Sequence, residues 1–187
     1  MRYRRMDMPG AKYFFTVNLA ERQKSLLVEH VVELRAAMRR VKQNHPFEID
    51  AIVILPDHLH TIWSLPENDA DFSLRWNLIK GAFSRKLPRV ERVIASRNRK
   101  GERGIWQRRF WEHLIRDERD FERHVNYIHY NPVKHGYVSS PCEWEFSSIH
   151  RYIALGIIPP DWAGENADTN VVGWGEVRTP TWQTVND

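Results

Sequence analysis

The chain has 187 residues, of which 42% are hydrophobic and 12% aromatic, a composition typical of one folded domain rather than of a disordered chain. No apolar run approaches the roughly 20 residues that cross a membrane, and no apolar signal-peptide stretch follows the charged N-terminus. The single cysteine, Cys142, excludes disulfide frameworks and cysteine-based zinc sites, so we expect a cytoplasmic protein.

The net charge of +4 is unevenly distributed along the chain. Residues 75–116 include thirteen Lys and Arg against three acids, whereas residues 155–187 include five acids against Arg178 alone. This pattern indicates a body that binds a polyanion, followed by an acidic tail that could compete for the same surface. An ordinary solvated surface would give the same pattern, so the charge alone leaves both interpretations open.

The N-terminal part of the chain predicts a strand, a helix and two paired strands. Alternating apolar residues predict a strand over 12–19. Ser25 is the expected cap of a helix over 25–43, which Asn44-His45-Pro46 ends. A strand over 47–55 and an extended segment over 58–63 follow, and Pro56-Asp57 between them implies a bulge or a break.

The second half predicts two longer helices separated by a strand. Ser73 is the expected cap of the first helix, which ends at Pro88 and buries Trp76, Ile79 and Phe83. A short helix is possible over 90–95, and an aromatic-rich strand is predicted over 105–116. Pro132 disfavours helical geometry at the preceding residue, so the last helix should close near Asn131.

This order of elements predicts the fold class. A mostly antiparallel sheet with helices on one side fits an α+β sandwich of the ferredoxin-like or RNA-recognition type. Residues 1–155 are expected to form this single domain. Residues 156–187, which are acidic and contain tryptophans without periodicity, should form a tail that drapes on the body or is flexible.

Two histidines are candidate metal ligands. His58 and His60 are one residue apart on a predicted strand, so both imidazoles project from the same face. One strand offers two ligands to a metal ion at this spacing, and neutral imidazole is a common ligand. Two structural histidines at a strand end would have the same spacing.

The last helix contains a candidate nucleophile within a polar stripe formed by Asp120, His124, Tyr127 and Asn131. A phenol has a pKa near ~10 and reacts poorly unless it is activated, which a divalent cation can achieve by polarising a phosphoryl group. Asn131 offers a neutral oxygen one turn from Tyr127, so His58, His60 and Asn131 could form a three-ligand site. The alternatives are that Tyr127 belongs to the core edge, or that Tyr130 is the nucleophile.

The basic region suits single-stranded or structured nucleic acid, because cations contact phosphates while aromatic rings can stack on bases. Most of its aromatic residues are nevertheless expected in the core. The candidate DNA contacts are Arg75, Lys80, Arg85, Lys86, Arg89, Arg108, Arg109 and Lys134.

Taken together, these residues resemble the single-tyrosine HUH transposases, and most closely the REP-associated tyrosine transposases, over about residues 10–155. Each matching segment is short, and their order and spacing make the resemblance specific. The segments are Tyr13-Phe14-Phe15-Thr16, Leu55-Pro56-Asp57-His58-Leu59-His60, Lys80-Gly81-Ala82-Phe83-Ser84, Trp106-Gln107-Arg108-Arg109-Phe110-Trp111-Glu112-His113, Tyr127-Ile128-His129-Tyr130-Asn131-Pro132-Val133-Lys134-His135-Gly136 and Trp144-Glu145-Phe146-Ser147-Ser148.

The resemblance implies a reaction and a substrate. Such enzymes bind DNA hairpins formed by repetitive extragenic palindromes and read a short single-stranded tetranucleotide beside the hairpin. They cut one strand, which leaves a free 3′-hydroxyl and a 5′-phosphotyrosine link that a second hydroxyl can rejoin. By residue matching, Tyr127 would be the nucleophile, His58 and His60 would hold Mg²⁺ or Mn²⁺, and Asn131 occupies the position of the third ligand. Related enzymes include monomers and homodimers, and both states stay open.

Two other functions are compatible with the same residues. One is a non-catalytic nucleic-acid-binding module with structural histidines, and the other is a metal-dependent phosphodiesterase that uses water while Tyr127 is a bystander. The acidic tail is expected to fold over the basic surface and to limit DNA entry.

Overall fold

Four strands, β1 (Lys12–Asn18), β2 (Glu48–Ile54), β3 (His58–Ser64) and β4 (Trp111–Leu114), pair into one antiparallel sheet. The strand order is β2-β3-β1-β4, so β3 and β1 are the central pair. The computed structural model describes residues 8–89, 99 and 103–164, and the short helix predicted over 90–95 lies outside them.

The helices in the described residues are α1 (Leu26–Glu29), α2 (Val31–Asn44), α3 (Phe72–Lys86), α4 (Glu118–Lys134) and α5 (Ile149–Ala154), with a short 3₁₀ helix at Pro141–Glu143. Among the described residues, no helix has the length and apolar character needed to span a membrane.

The α+β class is confirmed, but the expectation that the helices lie on one side of the sheet is wrong. Phe15 and its odd-numbered neighbours on β1 join a core with α2 and α3, where the Trp63 and Trp76 rings stack at 4.2 Å. Phe14 faces the opposite way and joins a second core that includes Val125 and Ile128 of α4. The central strands bury apolar residues on both faces, so each face needs its own layer of helices.

Three helix boundaries differ from the sequence prediction. The helix predicted over 25–43 is two helices, because His30 leaves helical geometry between α1 and α2. Asp71, not Ser73, caps α3 by accepting a hydrogen bond from the Leu74 amide at 2.8 Å. The last helix does not close near Asn131 but runs to Lys134.

Pro132 is tolerated in α4 because it occupies the last turn, where only one helical hydrogen bond is lost. The His135 amide still donates to the Asn131 carbonyl at 3.0 Å. Gly136, directly after the cap residue His135, turns the chain out of the helix, and its φ of 71° is the left-handed geometry that glycine adopts without strain.

The strand predicted over 105–116 is largely a bulge. Only Trp111–Leu114 pairs continuously with β1, and Trp106 forms an isolated bridge to Leu19. Two residues separate Thr16 from Leu19, but four separate their partners Trp111 and Trp106. The second segment therefore has two extra residues, which form the bulge. The loop exposes Arg108 and Arg109.

Candidate functional site

The two candidate metal-binding histidines lie on the central strand β3, on the face that α4 covers. His58 is paired with Asn18 and His60 with Thr16 across the β1–β3 ladder. Both histidines are buried, and their ring centroids are 5.0 Å apart. The two-residue period of the strand thus places both rings on one face, as the sequence predicts.

Neighbouring side chains fix the orientation of both rings. The Asp57 carboxylate accepts a hydrogen bond from His58 Nδ1 at 2.7 Å, and Thr16 Oγ1 lies 2.9 Å from His60 Nδ1. Because Nδ1 of each ring is engaged, Nε2 is the nitrogen left to bind a ligand.

Asp57 is itself held by a cation. Arg22 contacts its carboxylate, and the Arg22 guanidinium also lies 3.5 Å from His58 Nδ1. Burial would raise the pKa of the Asp57 carboxyl, but the hydrogen bonds from His58 and Arg22 outweigh it and hold the pKa at about 2. Asp57 is therefore ionised at neutral pH and acts as a fixed acceptor for His58.

The Tyr127 side chain lies on the same face as the histidines. Its ring is 5.2 Å from the His60 ring and 6.0 Å from the Phe14 ring, both edge-on. Burial raises the pKa of the Tyr127 phenol, and the nearby Asn131 side chain opposes this shift only in part. The phenol is therefore protonated at neutral pH, and it needs activation to act as a nucleophile.

Asn131 follows Tyr127 by one helical turn and is fully buried. Within the described part of the chain, neither polar atom of its side chain has a hydrogen-bond partner. His60 Nε2 also has no partner there. Buried polar atoms without partners are costly, so such a group indicates a ligand-binding position. An amide oxygen and two imidazole nitrogens are a donor set that fits a divalent metal ion.

A second cluster lies nearer the N-terminus of the same helix, where Asp120 and His124 of the predicted polar stripe meet His113 of β4. His113, Asp120 and His124 bring potential ligand atoms within 4.8 Å of one another. His113 Nε2 donates to Asp120 Oδ2 at 2.8 Å, and His124 Nδ1 donates to the Asp120 carbonyl at 2.7 Å. Arg116 and Arg123 also contact the carboxylate, so it is already neutralised without a metal ion. The hydrogen bonds of this cluster connect β4 to α4.

The eight candidate DNA contacts fall into three groups. Arg75 is 1% exposed and bonds to Asp69 and to the carbonyls of His45 and Pro46, so it is a structural arginine rather than a surface contact. Lys80 is partly buried in a groove. The remaining six are exposed: Arg85, Lys86, Arg89, Arg108, Arg109 and Lys134.

Three residues of the site escaped the sequence interpretation. Asp57 directly precedes His58, which was a usable signal because carboxylates often orient metal-binding histidines. Thr16 and Arg22 reach the site only through the pairing of β1 with β3 and through the chain that leaves β1. No local pattern identifies those two.

The body of the chain matches a family model described as "Transposase IS200 like" over residues 8–131. The REP-associated tyrosine transposase of Escherichia coli K12 is 47% identical over 166 residues, which cover 89% of this chain and 93% of that protein. A relative from Haemophilus influenzae is also 47% identical, over 91% of this chain and 97% of its own length. A solved structure described as a REP-associated tyrosine transposase bound to a REP hairpin superposes with a TM-score of 0.77 at 46% identity, and covers 91% of this chain and 95% of that one.

Proposed function

The chain belongs to the IS200-like transposase family, within the REP-associated tyrosine transposases, and we propose that it cleaves and rejoins hairpin-forming single-stranded DNA through a covalent phosphotyrosine link. The observation that carries the proposal is the contact of the Tyr127 ring with His60, 5.2 Å between centroids, on the face of the sheet that α4 covers. A phenol beside two imidazoles whose Nε2 atoms are available to bind a metal ion suits phosphoryl transfer.

The first step exchanges one phosphodiester for another. The Tyr127 oxygen attacks the scissile phosphorus and loses its proton, while the bond from phosphorus to the 3′-oxygen breaks and that oxygen takes up a proton. The products are a free 3′-hydroxyl and a 5′-phosphotyrosine. A second 3′-hydroxyl can reverse the step on a different strand, and no nucleotide cofactor is needed because the phosphodiester energy is conserved.

We propose that His58, His60 and Asn131 hold Mg²⁺ or Mn²⁺ next to the tyrosine. The unpartnered His60 Nε2 and Asn131 Oδ1 support this assignment, as does the engagement of both Nδ1 atoms by Asp57 and Thr16. When bound, the cation would polarise the phosphate and stabilise the negative charge that develops on it. The partly buried position of Tyr127 beside Phe14 and His60 limits the access of water to the nucleophile, which favours the tyrosine over hydrolysis.

The substrate is proposed to be a hairpin with a single-stranded extension. The relative that was solved in complex is described as bound to a REP hairpin, and its fold and sequence extend over most of this chain. The six exposed cations supply phosphate contacts that do not depend on base sequence.

The test is covalent trapping on a denaturing gel. The full chain is incubated with Mg²⁺ or Mn²⁺ and a hairpin DNA labelled at its 3′ end in one reaction and at its 5′ end in another. A 5′-phosphotyrosine retains the fragment on the 3′ side of the cut, so only the 3′ label should migrate with the protein.

Tyr127→Phe should abolish the adduct, whereas Tyr130→Phe, the control on the same helix, should retain it. Cleavage without an adduct would instead indicate a water-dependent phosphodiesterase. Binding without cleavage would indicate a non-catalytic DNA-binding protein. An adduct that persists in Tyr127→Phe would refute the assignment of the nucleophile.

A further inference from the structure

A basic groove of about 470 Å³ opens on the α3 side of the sheet, away from α4. It runs between the second half of α3 and the segment that leads into the β4 bulge. Its described lining contains four cations and no carboxylate. The residues that matter here are Lys80, Gly81, Arg85, Trp106, Gln107 and Arg108. A groove with this one-sided charge is complementary to an anionic ligand.

Lys80 is a partly buried cation of the groove. Its ammonium donates to the Gln107 carbonyl at 3.0 Å and lies 5.9 Å from the Trp106 ring centroid and 5.3 Å from that of Phe110. Among the described residues no carboxylate pairs with it, and burial lowers the pKa of Lys80 to about 8. A partly buried cation without a counter-ion gains stability when an anion binds beside it.

The groove begins one strand away from the histidine pair. The Gln107 amide, in the groove wall, donates to the Asn18 carbonyl at 3.0 Å, and Asn18 lies opposite His58 in the β1–β3 ladder. Neighbouring strands are about 4.8 Å apart. A chain that leaves the phosphate at His58 can therefore pass over the end of β1 and enter the groove.

We propose that the basic groove binds the single-stranded segment of the DNA that continues from the scissile phosphate, with Lys80, Arg85 and Arg108 contacting successive phosphates. Lys80 is partly buried in the groove, so a flexible single strand is better suited to reach it than the rigid backbone of a duplex. The aromatic residue in the described lining of the groove, Trp106, is 7% exposed, which favours contacts to phosphate over base stacking. The proposal rests on DNA being the substrate, but not on the tyrosine chemistry.

The experiment measures DNA affinity with the full chain carrying Tyr127→Phe, so that no cleavage occurs. Three hairpins share one stem: one with a single-stranded flank, one without a flank, and one whose flank has uncharged methylphosphonate linkages. The groove variant is Lys80→Met with Arg85→Gln, since methionine keeps the contact with the aromatic rings. The control is Arg39→Gln with Arg40→Gln, which removes two exposed cations of α2.

The groove variant should bind the charged-flank hairpin about tenfold more weakly. Its plot of log affinity against log salt should also be shallower by about 1.4, or about 0.7 for each lost phosphate contact on a single strand. The hairpin without a flank and the hairpin with an uncharged flank should bind the variant with the same affinity as the parent protein. The control should match the parent on all three.

An equal loss of affinity on the flankless hairpin, or on the uncharged flank, would overturn the assignment of the groove to single-strand phosphates. An unchanged affinity for the charged flank would do the same. If Lys80→Met does not fold, Arg85→Gln with Arg108→Gln repeats the test with two exposed positions. Flank-dependent binding without any adduct from the Tyr127 protein would leave the groove in place while refuting the proposed chemistry.

Discussion

Asp120→Asn is expected to weaken the attachment of the tyrosine-bearing helix to the sheet. The Asp120 side chain is 1% exposed and belongs to the first turn of α4. Its carboxylate accepts hydrogen bonds from His113 Nε2 at 2.8 Å and from the Arg116 amide at 3.1 Å. It also lies at the positive end of the helix dipole. An asparagine keeps one acceptor oxygen but turns an NH₂ group toward these donors.

The size of the effect follows from the ionisation of the carboxyl. Burial alone would raise the pKa of Asp120, but the hydrogen bonds from His113 and Arg116 outweigh it and lower the pKa from 3.8 to about 2. A shift of this size corresponds to about 2 kcal/mol of folding free energy at neutral pH. For a domain of this length the melting temperature should fall by about 4–8 °C.

The pH dependence gives this prediction an internal check. Because the folded-state pKa is depressed, the stabilisation is present above the unfolded value near 3.8 and is lost as pH falls toward 2. Urea unfolding of the parent and of Asp120→Asn should therefore differ by about 2 kcal/mol at pH 7, and the difference should shrink below pH 4. Glu122→Gln, at an exposed position on the same helix, is the control and should have little effect at any pH.

Two results would refute this reasoning. A difference that is the same at pH 3 and pH 7 would mean that the charge of Asp120 is not the source of the stability. No difference at pH 7 would mean that the hydrogen bonds of Asp120 between β4 and α4 contribute nothing to the folding free energy. A large rise in melting temperature of the parent protein on adding Zn²⁺, absent in Asp120→Asn, would instead assign the cluster to metal binding.

Three further substitutions test the site and its frame. Asp57→Asn should weaken Mn²⁺ binding about 10- to 100-fold in calorimetry while the fold persists, because the first histidine of the pair loses its orienting acceptor; unchanged affinity would exclude that role. Arg75→Met should lower the free energy of unfolding by about 3 kcal/mol, since a buried carboxylate-bound guanidinium is removed, whereas Arg85→Met on the exposed side of α3 should leave it nearly unchanged; equal effects would contradict the structural assignment. Gly164→Ala should detach the chain after α5 from α4, because its Cβ would overlap the Tyr130 ring and because φ at this position is 83°. Limited proteolysis should then cut this segment faster than in the control Gly156→Ala, whose Cβ meets open space.

The role of the acidic tail stays a prediction. Residues 165–187 lie outside the described residues, and only the start of the tail is placed, with the Trp162 ring 6.4 Å from His129 on α4. Deletion of the chain after Leu155 should increase DNA affinity if the tail competes for the basic surface. Unchanged binding and cleavage would contradict that role.

Local periodicity by itself determined which residues share a face. The two-residue period of a strand puts His58 and His60 on one side, and the helical period puts Tyr127 and Asn131 on one stripe. These relations depend only on backbone geometry, so they could be stated before any fold was known. The segments that resemble the transposase family indicated the chemistry for a similar reason, since their order is read along the chain.

Only the tertiary structure decided which faces meet. Contacts between distant segments place α4 over the histidine side of β3 and bring Thr16 and Asp57 to the two rings. Such contacts also bury Arg75 while Arg85 stays exposed. A charge pattern records where a cation stands in the chain but not whether a carbonyl from another loop lies against it. Strand pairing and helix packing set those contacts, because burying two apolar sheet faces fixes one arrangement of layers and the polar groups must then find partners within it.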